Sequence, residues 1–268
     1  MLTVNDLPEG LKDSLGVDDS AEIRVVNESL INETYCLTSH DERFMLKRFL
    51  ADKSTALSRR YLFTVQEKLA KLKIAPKPLY FCEKTRFYVE QWISPSLTPI
   101  TSLSEIEGIK VLADALATVH GLPLTTASID LPLQWAHYLD VAKLDTSDFR
   151  ARRTKELVFL ATASVNSASD RVFCHNDLAM NHILNYEQLT IIDWEYCSTG
   201  NRYFDIASTI AINQLRTEQR KLLLSYYAKS VGISEEEVQE GVLRHEPLVT
   251  LTYQLWFAAI TEHMKQIQ

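Results

Sequence analysis

Between Glu22 and Leu50 the apolar residues come in short β-prone runs, EIRVVN, TYCLTS and RFMLKRF, and the cluster Ser39-His40-Asp41-Glu42 separates the last two. This spacing predicts an antiparallel meander. The period then changes. From Ser54 to Lys73, Leu62, Val65, Leu69 and Leu72 recur at three- and four-residue steps, which puts them on one helical face, and Ala75-Pro76 closes the run. Two more strand-like runs, PLYFC and RFYVEQWI, end at the turn Ser94-Pro95-Ser96. Beyond that turn the pattern is helical, beginning with Ser104 to Gly121, where Ile109, Leu112, Leu116 and Val119 form a stripe and Gly121 supplies a stop. The exception is RVFCHNDLAMNHILNYEQLTIIDWEY, in which short β-prone runs bracket polar clusters. It reads as a hairpin with loop chemistry at both ends, after which helices resume near Tyr203. The pattern predicts an α+β chain, with strands and one long helix in residues 1–93 and a mainly helical part in 94–268.

Composition narrows the function classes. The chain has 268 residues, 46% of them hydrophobic, enough to bury a sizeable core. A formal net charge of −7 lacks the basic excess that a nucleic-acid binder needs to displace counterions. Cys36, Cys82, Cys174 and Cys197 are widely spaced with no C-x-x-C pair, so neither a zinc ribbon nor a disulfide framework is expected, and a reducing cytoplasm fits best. The N-terminus MLTVNDLPEGLKDSL lacks the pattern of a secretory leader, and no run approaches eighteen uncharged apolar residues. These features predict a cytoplasmic protein that neither inserts into a membrane nor binds nucleic acid.

The most informative segment runs from His175 to Asp205. An ionised aspartate can accept a hydroxyl proton, and a second at a strand end can hold Mg²⁺ against nucleotide phosphates. Asp177, in the cluster His175-Asn176-Asp177, and Asp193, after the apolar run Leu189 to Ile192, are placed for those two tasks. Either alone is as readily a turn cap or a strand end.

FCHNDL followed by IIDWEYCSTGNRYFDIA resembles the signature pair of the choline/ethanolamine kinase and aminoglycoside phosphotransferase superfamily. That resemblance implies a two-lobed protein-kinase-like fold, with a nucleotide-covering N-terminal lobe and a C-terminal lobe for catalysis and acceptor binding. It implies ATP and Mg²⁺ as cofactors and a small alcohol as phosphate acceptor. In the family pattern H-x-D-x-x-x-x-N, Asp177 would be the base and His175 an orienting residue. Asp193 would be the principal Mg²⁺ ligand, Glu195 would help with a second ion, and Asp205 would brace the catalytic loop. The pattern's asparagine falls on His182, with Asn181 one position early. Three arrangements stay open: Asn181 reaches the metal, His182 ligates it through a neutral ring nitrogen, or water replaces the ligand. The preference of Mg²⁺ for oxygen favours Asn181 or water.

In the first part of the chain, the segment from Asn27 to Tyr35 resembles the family's phosphate-covering hairpin, with Ser29 and Asn32 as its polar contacts, although it contains no glycine. Phe44-Met45-Leu46-Lys47 resembles the strand that presents a lysine to the α and β phosphates. Glu67 is the one acid on the following helix that such a lysine can be matched with. Val89 to Ile93 takes the position of the segment joining the lobes, where backbone groups from Gln91 to Ile93 would meet the adenine edge. For the acceptor, Tyr196, Tyr253 and Trp256 resemble the aromatic residues that choline kinases set around a quaternary ammonium. Thiamine, aminoglycosides and other small alcohols are the alternative acceptors. A metallohydrolase built on His175, Asp177, His182 and Asp193 and a nucleotide-binding module without activity are the rival classes.

Overall fold

The computed structural model describes residues 2–28, 31–50, 57–166 and 168–267. The chain divides into two compact units, Met1–Ser94 and Pro95–Gln268.

The first unit is a five-stranded antiparallel sheet. Its strands are β1 (Glu22–Glu28), β2 (Asn32–Ser39), β3 (Glu42–Phe49), β4 (Pro78–Cys82) and β5 (Phe87–Gln91), in the spatial order β1-β2-β3-β5-β4. Side chains alternate across a strand, so each sheet face is built by every second residue. One face carries Tyr35, Leu37, Phe44, Leu46, Phe87 and Val89. Leu2, Leu7, Leu11 and Val17 cover it, from a short N-terminal helix α1 (Glu9–Leu15) and the chain around it. The hydrophobic spacing of that N-terminal stretch is too short to announce a helix, and burial against the sheet is what holds it.

The long helix of the first unit is α2 (Arg59–Lys71), capped by the Ser58 side chain, which accepts from the backbone N–H of Tyr61. Residues 51–56, the start of the predicted helix, lie outside the described residues. Leu62, Val65, Gln66 and Leu69 are its buried positions, whereas Leu72 is 42% exposed and follows the last helical residue. The predicted stripe is therefore corrected at its end, because the helix stops one residue before Leu72. Phe63 packs its ring on Phe81 of β4 and Tyr88 of β5, fixing the helix to the sheet.

The second unit is mainly helical. Its helices are α3 (Glu105–His120), α4 (Leu131–Val141), α5 (Phe149–Asn166), α6 (Arg202–Ile212), α7 (Thr217–Val231) and α8 (Glu235–Ile267). Helix α3 starts with a capping box in which Ser104 and Glu107 satisfy each other's backbone N–H groups. Leu131, Trp135 and Tyr138 of α4, Leu157 and Ala161 of α5, and Leu248, Leu251, Leu255 and Ala259 of α8 form one core. At Gly241 of α8 an added Cβ would lie 2.5 Å from the Tyr203 ring of α6, so only glycine lets that ring seat against the helix.

The β-prone exception folds as two small ladders rather than one hairpin. β6 (Arg171–Cys174) pairs with β9 (Ser198–Asn201), and β7 (Ile183–Asn185) pairs with β8 (Thr190–Ile191). Asp177 follows β6 and Asp193 follows β8, so the polar clusters sit in the two connections to the β7–β8 hairpin. All four cysteines are free thiols. Among the described residues no helix is long and apolar enough to cross a membrane.

Candidate active site

The loop after β6 is held from below by a buried carboxylate. Asp205, in the first turns of α6, is fully buried and accepts the backbone N–H of His175 at 2.8 Å and of Asn176 at 2.7 Å, one on each oxygen. Nε2 of His120 in α3 lies 3.1 Å from the first of these oxygens, and its Nδ1 lies 2.7 Å from the Tyr227 hydroxyl of α7. Burial by itself would raise the Asp205 carboxyl, but the His120 hydrogen bond and charge, with His175, hold it below the usual carboxylate value. His120, Cys174 and Asp205 have potential ligand atoms within 4.8 Å of one another. Burial raises the Cys174 thiol well above its usual value, and the Asp205 oxygens are occupied, so this group is a hydrogen-bonded brace.

Asn176 has a left-handed backbone, φ 64°, which Asn tolerates better than most residues. Its side-chain amide donates to the Tyr196 carbonyl and the Ser198 hydroxyl, each at 2.9 Å, and its own carbonyl accepts from Ser208 at 2.7 Å. Asn213, at the end of α6, accepts from the Met180 N–H at 2.8 Å and donates to the Leu178 carbonyl at 3.0 Å. The loop around Asp177 is thus clamped on both sides by α6.

The second connection is tied to the first through Ile192, whose N–H donates to the His182 carbonyl at 2.9 Å. The Ile192 carbonyl accepts from Nε2 of His175 at 3.1 Å, and Nδ1 of His175 accepts from the Asp177 N–H at 3.3 Å. These partners fix the tautomer of His175, and burial pushes its pKa down to about 4, so the ring is neutral near pH 7. Asp193 follows with φ 68°, a second left-handed non-glycine residue, at the start of the turn Trp194–Tyr196. Two such residues in one site are backbone strain of the kind found where side chains must be aimed.

The outcome is a convergence of Asp177, His182 and Asp193, whose ligand atoms all lie within 4.8 Å of one another. Two carboxylates and an imidazole, all half-buried, are a donor set suited to a divalent cation. Nε2 of His182 lies 3.5 Å from Oδ2 of Asp193. Asn181, which the sequence favoured over His182, is exposed in the middle of the turn Met180–His182. The turn aims the next side chain, not that one, toward Asp193. Glu195 is half-buried in the turn after Asp193.

The three aromatic residues lie in the same unit. Trp256 donates from Nε1 to the Tyr196 hydroxyl at 3.0 Å. Tyr253 lies 2.7 Å from Ser208, whose hydrogen goes to the Asn176 carbonyl, so the tyrosine is the donor. Burial is the main cause that raises both phenols, and the Asp177 charge adds to it in each. The part of Trp256 that is covered packs against the α4–α5–α8 core.

In the first unit, Lys47 of β3 pairs in register with Tyr88 of β5. Glu90, two residues along, shares that sheet face by alternation and is only 3% exposed. It accepts from Gln66 of α2 at 2.5 Å and from Tyr88 at 2.6 Å. Glu67, the one acid of α2 that could be matched with Lys47, is exposed, because the buried face of α2 falls on Gln66 instead. Asn32 is buried at the start of β2, and Ser29 lies outside the described residues. The N–H of Gln91 is taken by the Lys77 carbonyl at 2.8 Å, so that group is withdrawn from the adenine role, while Ile93 follows β5 half-buried.

Sequence reasoning missed His120, Asn176, Ser208, Asn213, Tyr227 and Glu90. Asn176 sits inside the motif and offered a signal; the others are remote in sequence and offered none.

Comparison with known proteins places the chain. One curated relative, an uncharacterized protein from Metamycoplasma hominis, is 30% identical over 124 residues, 44% of this chain and 24% of that protein. The chain thus matches about a quarter of that relative's length. The choline kinase LicA from Streptococcus pneumoniae, also solved in complex with AMP, superposes with a TM-score of 0.73 at 19% identity, covering 97% of this chain and 91% of that one. Plasmodium vivax ethanolamine kinase gives 0.70 at 18% identity over 96% and 85% of the chains. An aminoglycoside-3′-phosphotransferase of type VIII gives 0.62 at 17% identity over 90% and 100%. These likenesses establish a kinase-like fold, and because residues 22–240 match the phosphotransferase enzyme family, the chain belongs to that family.

Proposed function

We propose that this chain is an ATP- and Mg²⁺-dependent phosphotransferase that moves the γ-phosphate to the hydroxyl of a small cationic alcohol, choline or ethanolamine first. The observation that carries this reading is the convergence of Asp177, His182 and Asp193 within 4.8 Å, on two loops locked together through Ile192. Asp177 accepts the proton of the acceptor hydroxyl as its oxygen attacks the γ-phosphorus, the bond from that phosphorus to the β-bridging oxygen breaks, and ADP leaves. His175 and Asp205 position Asp177 through its own N–H and those of its two predecessors. Asp193 with His182 would hold a divalent cation and Glu195 would assist, leaving Asp177 to the proton; when bound, the ion neutralises charge on the transferred phosphoryl group. Lys47 and Asn32, with Ser29 and the backbone at Ile93, are assigned to the nucleotide, and residues 1–93 to covering it.

The acceptor assignment rests on Tyr196, Tyr253 and Trp256, which are tied to the Asp177 loop: the Tyr196 carbonyl accepts from Asn176, Ser208 joins Tyr253 to the Asn176 carbonyl, and Trp256 donates to the Tyr196 hydroxyl. A cation over such rings gains about 0.5 to 2 kcal/mol per contact. Thiamine, another cationic primary alcohol, is the second acceptor to test, followed by aminoglycosides. A hydrolytic zinc centre is disfavoured, because it requires His175 as a ligand and both His175 ring nitrogens are engaged in hydrogen bonds.

An ATP-consumption screen over choline, ethanolamine, thiamine, homoserine and aminoglycosides tests the proposal. Acceptor-dependent ADP release is the expected result, and Asp177→Asn should lower turnover by about 10²-fold or more while nucleotide binding persists. Equal turnover by Asp177→Asn and the parent removes the base assignment.

A further inference from the structure

We propose that His182 is itself a ligand of the divalent cation, through Nε2, and that the site consequently favours first-row transition ions such as Mn²⁺ and Co²⁺ over Mg²⁺ more than an all-oxygen site does. This rests on the phosphotransferase reading and concerns the position where the family pattern has asparagine.

The ring is oriented from both ends. Nδ1 lies 2.8 Å from the Asp177 carbonyl, which can only accept, so Nδ1 carries the hydrogen. The neighbouring Ala179 N–H does not compete for that nitrogen, because it donates to the same carbonyl at 3.0 Å and lies 3.5 Å from Nδ1. In the neutral ring Nε2 is then the lone-pair atom, and it faces Oδ2 of Asp193 at 3.5 Å. A charged N–H···O⁻ hydrogen bond closes to about 2.7–2.9 Å. The wider separation suits two lone-pair atoms directed at one cation, with the Asp177 carboxylate as the third group in reach.

The ring is also kept from turning away. His182 stacks on His175 with centroids 5.9 Å apart and planes inclined by 29°, and its carbonyl holds the Ile192 N–H. Asn213 clamps the backbone just before it at Leu178 and Met180. A hydrogen bond from Nδ1–H to a backbone carbonyl is the usual way a metal-binding imidazole is oriented. Mg²⁺ prefers oxygen and gives up water reluctantly, whereas affinity of nitrogen-containing sites rises along the first transition row from Mn²⁺.

The test uses the full chain labelled with ¹⁵N-histidine, Mn²⁺ and ADP, read by pulsed electron paramagnetic resonance. The expected result is hyperfine coupling to one histidine nitrogen, lost in His182→Asn while Mn²⁺ stays bound. The preference for Mn²⁺ over Mg²⁺ in ADP-dependent binding should fall in that variant by on the order of tenfold. Mn²⁺ held together with ADP but without histidine coupling overturns the ligand assignment, including the case of a protonated His182 paired with Asp193, and leaves phosphoryl transfer standing. No ADP-dependent Mn²⁺ binding by the unsubstituted chain overturns both. The labelled parent answers the question even if the variant fails to fold.

Discussion

His175 and Ile192 are joined by a hydrogen bond from Nε2 to the backbone carbonyl at 3.1 Å, which with the Ile192 N–H donated to His182 couples the loop of Asp177 to the loop of Asp193. His175→Gln keeps a polar side chain but cannot reproduce both ring contacts at once. Turnover is predicted to fall about 10- to 100-fold, as for loss of other groups that orient a metal site. Steady-state kinetics with the KM for ATP measured alongside checks this; a change in KM alone points away from a positioning role.

Glu90 is predicted to serve Lys47. A carboxylate buried to 3% exposure, with Gln66 and Tyr88 as neutral donors, sits on the sheet face that carries Lys47. Diagonal neighbours on a sheet face are within reach of long side chains, and opposite charges so placed attract. Glu90→Gln should raise the KM for ATP by roughly tenfold and leave the acceptor KM unchanged, a loss of about 1.4 kcal/mol of nucleotide binding. Equal shifts in both constants would assign Glu90 to the core of the sheet unit alone.

Trp256→Ala should raise the KM for a cationic alcohol well beyond that for ATP, and Tyr196→Phe, which removes only the acceptor of the Trp256 hydrogen bond, should have a smaller effect in the same direction. Parallel increases for acceptor and ATP would mean that the indole serves only the α4–α5–α8 core.

Gly241→Ala puts a methyl group where the Tyr203 ring sits. Because α6 also bears Asp205 and Ser208, the expected cost is about 1–3 kcal/mol in stability with a concurrent loss of turnover. Denaturant unfolding measures the first and an assay below the melting transition the second; an unchanged midpoint would show that Tyr203 moves aside freely.

His245 of α8 makes stability depend on pH. It is buried, with Nδ1 donating to the Gly241 carbonyl at 2.7 Å and Nε2 2.8 Å from the Ser164 hydroxyl. Burial is the main cause lowering its pKa; the Arg244 charge adds to it, while the Gly241 hydrogen bond and Asp170 oppose it. The unfolded chain therefore takes up a proton near pH 6.5 that the folded chain refuses, so stability falls as pH drops from about 6.5 toward the depressed folded value. Urea midpoints between pH 7.5 and 5 should show this slope, and His245→Gln should reduce it, leaving the part due to His175, whose buried ring is likewise pushed down to about 4. An equal slope in the variant would move the cause elsewhere.

The sequence by itself determined the element types and the order of the chemistry. Period-two runs gave the meander, three-and-four spacing gave α2 and α3, and the residues from His175 to Asp205 carried the family likeness, because these signals are local and need only neighbouring positions to be read. Tertiary structure decided what local spacing cannot encode. Leu72 falls outside its helix because Lys73 takes a left-handed backbone, φ 60°, and the Ile74 N–H turns back to the Leu69 carbonyl, and Asn181 is exposed while His182 faces Asp193 because a single turn of backbone aims one side chain inward and the other to solvent. The brace of His120, Asp205 and Tyr227 joins α3, α6 and α7, and the hydrogen bond from Gln66 to Glu90 joins α2 to β5. Such partners meet only when distant segments bury their polar groups together, where each hydrogen bond must be satisfied and the geometry of the whole unit selects the partner.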